Sequence, residues 1–338
     1  MRSPIIPTER SFNLIAQIAG TGSYVPEHRV TNQELSASVG LDSAGILRRT
    51  GIQERRWAGK DQAASDLATE AVRAALERAG CAAKDLEAIV LATTSPDMWF
   101  PSTACLVQRN LQASNAFAFD VSASCCGFLF ALSVAEQFIR SGQVKTVAVV
   151  AAEVKSRFID LKDPATAILF GDGAGAVVLK RGADGSGLLS IRLYSDGTKS
   201  GMIQIPAGGS RRPISEKSLA EEQHVIRMKG GSLFKAAVQR LTDVTHEILK
   251  LHRLHLSDID HFVFHQANGR LLSAVAKRLQ IPRNRIVVTL DRYGNTSSAS
   301  LPMALDHLLR SGRVRPGDLI FLGAFGGGLN WGGALVRS

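Results

Sequence analysis

The feature that most constrains the fold is an alternation of short apolar runs with amphipathic helical segments along most of the 338 residues. Residues 144–152 (VKTVAVVAA) form a continuous apolar run, which is typical of a strand buried on both faces. Residues 65–79 carry apolar side chains at helical spacing and are followed by Gly80, a common residue after a helix. Because helices on both faces of a sheet bury such strands, the pattern predicts an α/β fold with mostly parallel sheets.

The same criteria predict elements in both halves of the chain. Strands are expected at residues 14–19, 88–93, 116–121, 144–152, 174–179, 261–264, 286–290, 319–324 and 334–336. Helices are expected at residues 65–79, 128–139, 233–251, 268–279 and 297–309. Residues 182–222 are rich in glycine, serine, proline and charge, and we interpret them as a connection of loops or hairpins between two α/β halves.

Cysteine content and hydropathy indicate a cytoplasmic protein. Cys81, Cys105, Cys125 and Cys126 form neither a CxxC pair nor a secreted or zinc-binding framework. No run approaches the roughly 20 apolar residues of a membrane span. Residues 1–11 lack the apolar core of a signal peptide.

The formal net charge of +10 suits nucleic acid, a membrane or an acidic protein partner. Aromatic residues are only 6% of the chain and are not interleaved with the basic residues, which weighs against stacking on single-stranded nucleic acid. We therefore expect no nucleic acid and no membrane partner, and favour an acidic protein.

Three polar residues follow predicted strands and suit chemistry on a thioester. Cys125 lies at a strand-to-helix junction, where the helix dipole is expected to stabilise a thiolate. His265 closes an apolar strand, and Asn295 lies in a turn before a helix. Residues 326–328 are three glycines after another strand, and their backbone N–H groups are open to an oxyanion. Taken singly, each of these residues is equally typical of a packing, capping or turn position.

Several motifs together resemble the ketoacyl-ACP synthase III family. They are DVSASCCGF, FGDGAGAVVL, HQANGR, DRYGNTSSASLP and AFGGGLNWGGALV, with GTGSYVPEHRVTN and RRTGIQERR near the start. The resemblance implies the thiolase fold, a duplicated five-layer αβαβα architecture, usually in a homodimer. It also implies two similar halves, residues 1–181 with the nucleophilic cysteine and residues 182–338 with the histidine and asparagine.

The resemblance further implies a catalytic triad of Cys125, His265 and Asn295. Cys125 would accept an acyl group from an acyl-CoA or acyl-ACP, with the N–H groups of Cys125 and Gly327 as the oxyanion hole. His265 and Asn295 would stabilise the enolate formed when malonyl-ACP loses CO2, and the product would be a 3-oxoacyl-ACP. Coenzyme A thioester and the phosphopantetheine of the acyl carrier protein enter as substrates, and no metal or other cofactor is implied.

Further positions match substrate-binding and partner-binding positions of the family. The substrate-binding set is Arg49, Thr50, Phe100, Phe170, Met228, Gly230, Phe234 and Asn268. Phe100 matches an aromatic that reaches across the dimer and limits acyl length. The set expected to dock the acidic acyl carrier protein is Lys235, Arg270, Lys277 and Arg278.

The chain departs from the family at the clamp for the adenine of coenzyme A. Gly45 and Pro164 stand where the family has a tryptophan and an arginine. The primer donor is therefore open between acyl-CoA and acyl-ACP. Lys155 or Arg157 could meet a carboxylate, which would suit a dicarboxylyl primer such as glutaryl-CoA in pimelate and biotin synthesis.

Two further hypotheses belong to other classes. A papain-like protease also orders its groups as cysteine, histidine and asparagine, but the α/β pattern and the DGAGA segment argue against it. A non-condensing acyltransferase of secondary metabolism would share the fold, although such relatives usually have an altered triad. Release of CO2 from malonyl-ACP would distinguish condensation from simple acyl transfer.

Overall fold

The computed structural model describes residues 14–182 and 185–338. Within these ranges the strands are β1 (Ile15–Tyr24), β2 (Arg29–Thr31), β3 (Glu54–Arg56), β4 (Ala88–Ala92), β5 (Phe117–Val121), β6 (Thr146–Glu153), β7 (Gly173–Gly182), β8 (Gly187–Ser195), β9 (Ile203–Gln204), β10 (Arg227–Met228), β11 (His261–Phe264), β12 (Leu319–Gly326) and β13 (Asn330–Arg337). The expectation about a signal peptide concerns residues 1–11, which lie outside the described residues.

The helices alternate with these strands. They are α1 (Asn32–Val39), α2 (Ser43–Thr50), α3 (Ala64–Arg78), α4 (Thr103–Leu111), α5 (Gly127–Arg140), α6 (Glu216–Ala220), α7 (Gly230–His252), α8 (Gly269–Leu279), α9 (Leu290–Tyr293) and α10 (Ser300–Arg310). Short 3₁₀ turns, Ser124–Cys126 and Ser297–Ala299, directly precede α5 and α10. No helix in the described part of the chain is long and apolar enough to cross a membrane.

Two mixed sheets carry the fold. The first has the order β1-β7-β6-β4-β5, and the second has the order β11-β12-β13-β8. The pairs β4–β5, β4–β6 and β11–β12 are parallel, whereas β1–β7, β6–β7, β12–β13 and β8–β13 are antiparallel. The expectation of mostly parallel sheets was therefore wrong, because β12 and β13 are joined by a tight hairpin that a parallel pair cannot use.

The helices and sheets stack as five layers. Helices α3 and α4 cover the outer face of the first sheet, α5 and α10 lie between the two sheets, and α7 and α8 cover the second sheet. Three apolar cores fill the spaces, with Leu67 and Ile89 in the first, Phe128 and Leu305 in the central one, and Phe321 in the last. The predicted five-layer α/β architecture is confirmed. The division at residues 181 and 182 stays a prediction.

The two central helices begin in the same way. The first residues of the preceding 3₁₀ turns, Ser124 and Ser297, have φ values of 50° and 51°. Positive φ is uncommon for residues other than glycine, and strained turns of this kind cluster at functional sites. The shared geometry places the N-terminal ends of α5 and α10 beside each other, since the two turns contact directly.

Three predicted elements differ from the structure. The first strand continues past Gly20 to Tyr24, with an irregular register against β7 between Ile18 and Gly20. Residues 286–290 do not form a strand, because the Gln266 side chain accepts the Thr289 N–H and donates to the Val287 carbonyl. Residues 182–222 are more than a connection, since they contain β8 at the edge of the second sheet.

Candidate active site

Cys125 lies in the 3₁₀ turn at the N-terminal end of α5 and is 8% exposed. The preceding strand β5 ends at Val121, so the chain turns from sheet to central helix within a few small residues. Gly326, at the end of β12, lies directly against this turn. A Cβ atom on Gly326 would lie 2.8 Å from the Cys125 nitrogen, so only glycine allows this approach.

The thiol of Cys125 is protonated at neutral pH. Its burial raises its pKa above the ordinary value of 9.0, and the negative charge of Glu153 acts in the same direction. The Ser297 hydroxyl, 3.5 Å from Sγ, acts the other way. This differs from the thiolate expected from the sequence, because the expectation weighed the helix dipole but not the dry surroundings. Burial also raises the pKa of Cys126, whose Sγ lies 3.8 Å from the Ala324 carbonyl oxygen.

Glu153, at the end of β6, is fully buried next to this turn. Its Oε1 accepts hydrogen bonds from Ser298 at 2.7 Å and Ser297 at 3.1 Å, and its Oε2 accepts from Ser95 at 2.6 Å. The Lys155 Nζ lies 3.0 Å from Oε2. Burial by itself raises the pKa of Glu153, but Lys155 and these hydroxyl donors outweigh burial and hold it below the ordinary value. The site therefore contains a buried, hydrogen-bonded ion pair.

His265 follows β11 and is held on two sides. Its backbone N–H donates to the Gly323 carbonyl at 2.8 Å, and its Nδ1 lies 2.5 Å from the Ser300 hydroxyl. That hydroxyl oxygen also accepts the Gln266 N–H at 3.1 Å. Burial lowers the pKa of His265 to about 4, so the ring is neutral at physiological pH.

The hydrogen bonds of Asn295 orient its side-chain amide. Its Oδ1 accepts the Ser297 N–H at 2.9 Å, and its backbone bonds to Leu169 and Gly171. Since a backbone N–H can only donate, the amide oxygen occupies that side and the NH2 group is directed away from it. Asn295 is 6% exposed and lines the same cavity as Cys125 and His265.

The first cavity, cavity one, has a volume of about 630 Å³ and leads from the surface to Cys125. It brings together the triad predicted from the sequence and most of the predicted substrate-binding positions. They are Arg49, Thr50, Cys125, Phe170, Met228, Gly230, Phe234, His265, Asn268, Asn295 and Gly327. Pro164 and Arg270 also line it.

A second cavity, cavity two, continues beyond Cys125 and has a volume of about 730 Å³. Cys125, Phe170, Ile203 and Gly327 line both cavities. Cavity two also contacts Lys155 and the loop before α4. The thiol therefore lies where the two cavities meet.

Other predicted residues lie outside these cavities. The Arg157 guanidinium donates to the backbone carbonyls of Gly59, Lys60 and Gln62, so it anchors a loop and does not line either cavity. Phe100 is 84% exposed on the loop before α4. Of the basic residues expected to dock a partner, Lys235 on α7 and Lys277 and Arg278 on α8 lie outside the cavities, whereas Arg270 on α8 lines cavity one; all four are exposed.

Glu153, Ser297 and Ser300 were missed as site residues in the sequence. Glu153 was seen only as a strand end, and the serines only as the start of a helix. The signal that could have found the serines is the segment TSSAS, which follows Asn295 and places four hydroxyl side chains at the start of the predicted helix. Lys155 was considered only as one of two basic residues that could meet a primer carboxylate.

Comparisons with known proteins agree with this fold. Residues 119–197 match the family described as 3-oxoacyl-[acyl-carrier-protein] synthase III, and residues 249–338 match the C-terminal part of 3-oxoacyl-[acyl-carrier-protein] synthase III. A beta-ketoacyl-[acyl-carrier-protein] synthase III of Xanthomonas campestris is 48% identical over 327 residues, covering 97% of this chain and 99% of the relative. Another, from Caldanaerobacter subterraneus, is 46% identical over 324 residues, covering 96% and 98%.

A solved structure extends the agreement to three dimensions. The crystal structure of 3-oxoacyl-[acyl-carrier-protein] synthase III from Aquifex aeolicus matches with a TM-score of 0.88 and 41% identity, covering 96% of this chain and 100% of that one. The layered fold, with a cysteine at the start of a central helix, defines a thiolase-fold protein. The chain belongs to the 3-oxoacyl-ACP synthase III family.

The raised pKa of the Cys125 thiol predicts slow alkylation at neutral pH. The rate of iodoacetamide labelling at Cys125, read by peptide mass mapping, is expected to rise with pH and to reach half its maximum above pH 9.0. Ser297→Ala should move this midpoint higher, because the Ser297 hydrogen bond lowers the pKa. The exposed Ser273→Ala serves as the matched control. A midpoint below pH 9.0 in the wild type would show that the helix dipole lowers the pKa of Cys125 more than burial raises it.

Proposed function

We propose that the chain performs the first condensation of fatty-acid synthesis, joining an acyl thioester primer to malonyl-ACP through an acyl-cysteine intermediate. The observation that carries this proposal is the convergence of Cys125, His265 and Asn295 in one cavity that reaches the surface. The 48% identity to the Xanthomonas campestris relative, over 97% of this chain, supports the same chemistry. The reaction uses only thioester substrates and no resident cofactor.

In the first step, the sulfur of Cys125 attacks the carbonyl carbon of the primer thioester. The carbonyl oxygen becomes an oxyanion, which the backbone N–H groups of Cys125 and Gly327 would stabilise. The carbon–sulfur bond to the donor then breaks. The departing thiol of coenzyme A or phosphopantetheine takes up the proton that Cys125 loses, so the step is balanced. The acyl chain then occupies cavity two, while cavity one is free for the second substrate.

In the second step, malonyl-ACP enters cavity one and loses CO2. The electrons of the broken bond form an enolate at the thioester carbonyl, which the NH2 group of Asn295 and Nε2 of His265 would stabilise by donation. The proposed tautomer has the Ser300 hydroxyl donating to Nδ1, 2.5 Å away, and the ring proton on Nε2. The enolate carbon attacks the acyl-cysteine, and the carbon–sulfur bond to Cys125 breaks. The Cys125 thiolate takes up a proton from water, which restores the thiol, and a 3-oxoacyl-ACP is released.

The acyl carrier protein is proposed to dock on α8. Arg270 lies at the mouth of cavity one, and Lys277 and Arg278 are exposed on the same helix. The Arg278 guanidinium also donates to the Gln239 side chain at 2.6 Å, which fixes it against α7. A positive surface beside the cavity entrance suits an acidic carrier that delivers its phosphopantetheine into cavity one. A cytoplasmic location stays a prediction from the sequence.

A homodimer is proposed from the apolar surface around the first sheet. Trp99 and Phe100 are 79% and 84% exposed, and Phe117 lies on β5, the edge strand of the sheet. Exposed aromatics beside an unpaired edge strand are typical of an interface.

In sedimentation velocity the wild-type chain should run as a dimer and the double variant Trp99→Ser/Phe100→Ser as mostly monomer. Leu251→Ser, an exposed apolar control on α7, should not change the state, and a monomeric wild type would contradict the proposal.

The alternatives set out from the sequence are less well supported. The relatives at 46–48% identity are named beta-ketoacyl-[acyl-carrier-protein] synthase III. A non-condensing acyltransferase would not need His265 and Asn295 placed with their donors toward the same cavity. A dicarboxylyl primer would need a cation in cavity two without a counter-ion, whereas Lys155 is already paired with Glu153.

Because the triad residues act in different steps, substitutions of His265 or Asn295 should impair decarboxylation but not acylation. His265→Ala and Asn295→Ala should still form the acyl-cysteine adduct but lower CO2 release from malonyl-ACP by about 100-fold or more, since each removes an oxyanion donor. Ser300→Ala should lower CO2 release by a smaller factor, roughly tenfold, and Ser300→Thr should restore it. Intact mass and CO2 capture measure the two steps. Equal loss of both steps in His265→Ala would contradict these roles.

The docking proposal predicts a defect confined to the carrier. Arg270→Glu should raise KM for malonyl-ACP by roughly tenfold, which is about 1.4 kcal/mol, because the charge reversal repels the acidic carrier. The KM for malonyl-pantetheine, which lacks the protein part, should change much less. Arg315→Glu is the matched control, because Arg315 is exposed and lies just before the N-terminal end of β12, whereas the cavities lie at its C-terminal end at Gly326. An equal KM increase with both substrates would assign Arg270 to the cavity rather than to docking.

A further inference from the structure

Lys155 is a buried cation that the proposed reaction does not use. Its side chain is 5% exposed, and it lines cavity two together with Cys125. Its Nζ donates to the Thr94 hydroxyl at 2.5 Å and pairs with Glu153 at 3.0 Å. A lysine ammonium has three N–H donors, and within residues 14–182 and 185–338 no third acceptor contacts this one.

The wall of cavity two is mostly apolar, but it also carries polar groups besides Lys155. The hydroxyls of Thr93, Thr94 and Ser122 line it, and so does His224, whose buried Nδ1 has no hydrogen-bond partner in the described structure. A hydrocarbon chain that fills this space would displace solvent and leave the third N–H of Lys155 unpaired. A buried donor without a partner is costly, so such a chain is disfavoured.

We propose that cavity two selects an acyl group that carries a neutral oxygen acceptor, a hydroxyl or a carbonyl, for the third N–H of Lys155. This inference rests on the proposed function, since it concerns the acyl group that Cys125 accepts. The acceptor is neutral because Glu153 already balances the charge of Lys155. A carboxylate in the same place would leave an uncompensated negative charge in a buried site. Lys155 is thus a specificity-determining residue for the primer.

Sites built to bond a substrate oxygen reject the analogue that lacks it far more strongly than apolar pockets reject a change in size. The test therefore compares chains of equal length. Four- to six-carbon acyl groups are offered as CoA and as ACP thioesters, either as plain alkyl chains or with a hydroxyl or keto group at each position, and glutaryl-CoA is included. The rate of Cys125 acylation is followed by intact mass.

The wild type is expected to react at least roughly tenfold faster with an oxygenated chain than with the matched alkyl chain, at one position or more. Lys155→Met should bring this ratio close to one. Because Lys155→Met alone leaves Glu153 buried without its partner and could unfold the chain, the double variant Glu153→Gln/Lys155→Met is made as well. Lys250→Met, the same change at an exposed position on α7, should keep the wild-type ratio.

Three results overturn the inference. In the first, alkyl chains react as fast as oxygenated chains at every position. In the second, the preference for oxygenated chains survives in the folded Lys155 variants. In the third, glutaryl-CoA reacts fastest, which would make Lys155 part of an anion site. Acylation by alkyl donors without any oxygen preference would leave the proposed function intact. Absence of acylation from every donor would instead contradict the proposed function itself.

Discussion

The site depends on the contacts between the Glu153 carboxylate and the hydroxyls of Ser297 and Ser298. Glu153 ends a strand of the first sheet, whereas the two serines form the turn that starts α10. Their hydrogen bonds, at 3.1 Å and 2.7 Å, therefore join the two parts of the chain where the thiol lies. Lys155 balances the carboxylate, so the junction is buried without an unpaired charge. Loss of this junction would release Ser297 from Cys125 and from the backbone contact that orients Asn295.

Burial gives each group of the site a definite protonation state. The same dry surroundings raise the pKa of the Cys125 thiol and lower the pKa of His265 to about 4. A neutral imidazole can donate through one nitrogen while the other accepts, and the contact between Nδ1 and Ser300 leaves Nε2 as the nitrogen available to substrate. A neutral His265 suits stabilisation of an enolate oxygen by hydrogen-bond donation, without a permanent positive charge on the ring. It also means that the nucleophile is a thiol at rest and loses its proton in the course of acyl transfer.

The elements that the sequence predicted best are those whose signals are local. The strand at residues 261–264 agrees with the structure residue for residue, and the helix after Cys125 begins at Gly127, one residue before its predicted start. The strand expected at residues 286–290 was wrong because the Gln266 side chain, more than 20 residues away in sequence, takes the hydrogen bonds that a ladder would need. No local pattern contains that information.

The same distinction applies to the site. Cys125, His265 and Asn295 could be named because each lies in a motif with a family likeness. Glu153 could not, and Lys155 was named only as a possible contact for a substrate carboxylate, since a carboxylate and an ammonium after a strand are ordinary surface residues until folding buries them against Ser297 and Thr94. Arg157 is the opposite case, a residue that was named from the sequence but lines neither cavity. It was expected to face the substrate, and its guanidinium instead bonds three loop carbonyls.

The central claim is that Cys125 alone holds the acyl group, at the meeting point of the two cavities. The most direct measurement is a pulse-chase by intact mass, with an acyl donor added to the wild type and to Cys125→Ala, followed by malonyl-ACP. We expect one acyl adduct on the wild type, none on Cys125→Ala, and loss of the adduct on the chase as 3-oxoacyl-ACP forms. An equal adduct on Cys125→Ala, or an adduct that malonyl-ACP does not discharge, would contradict it.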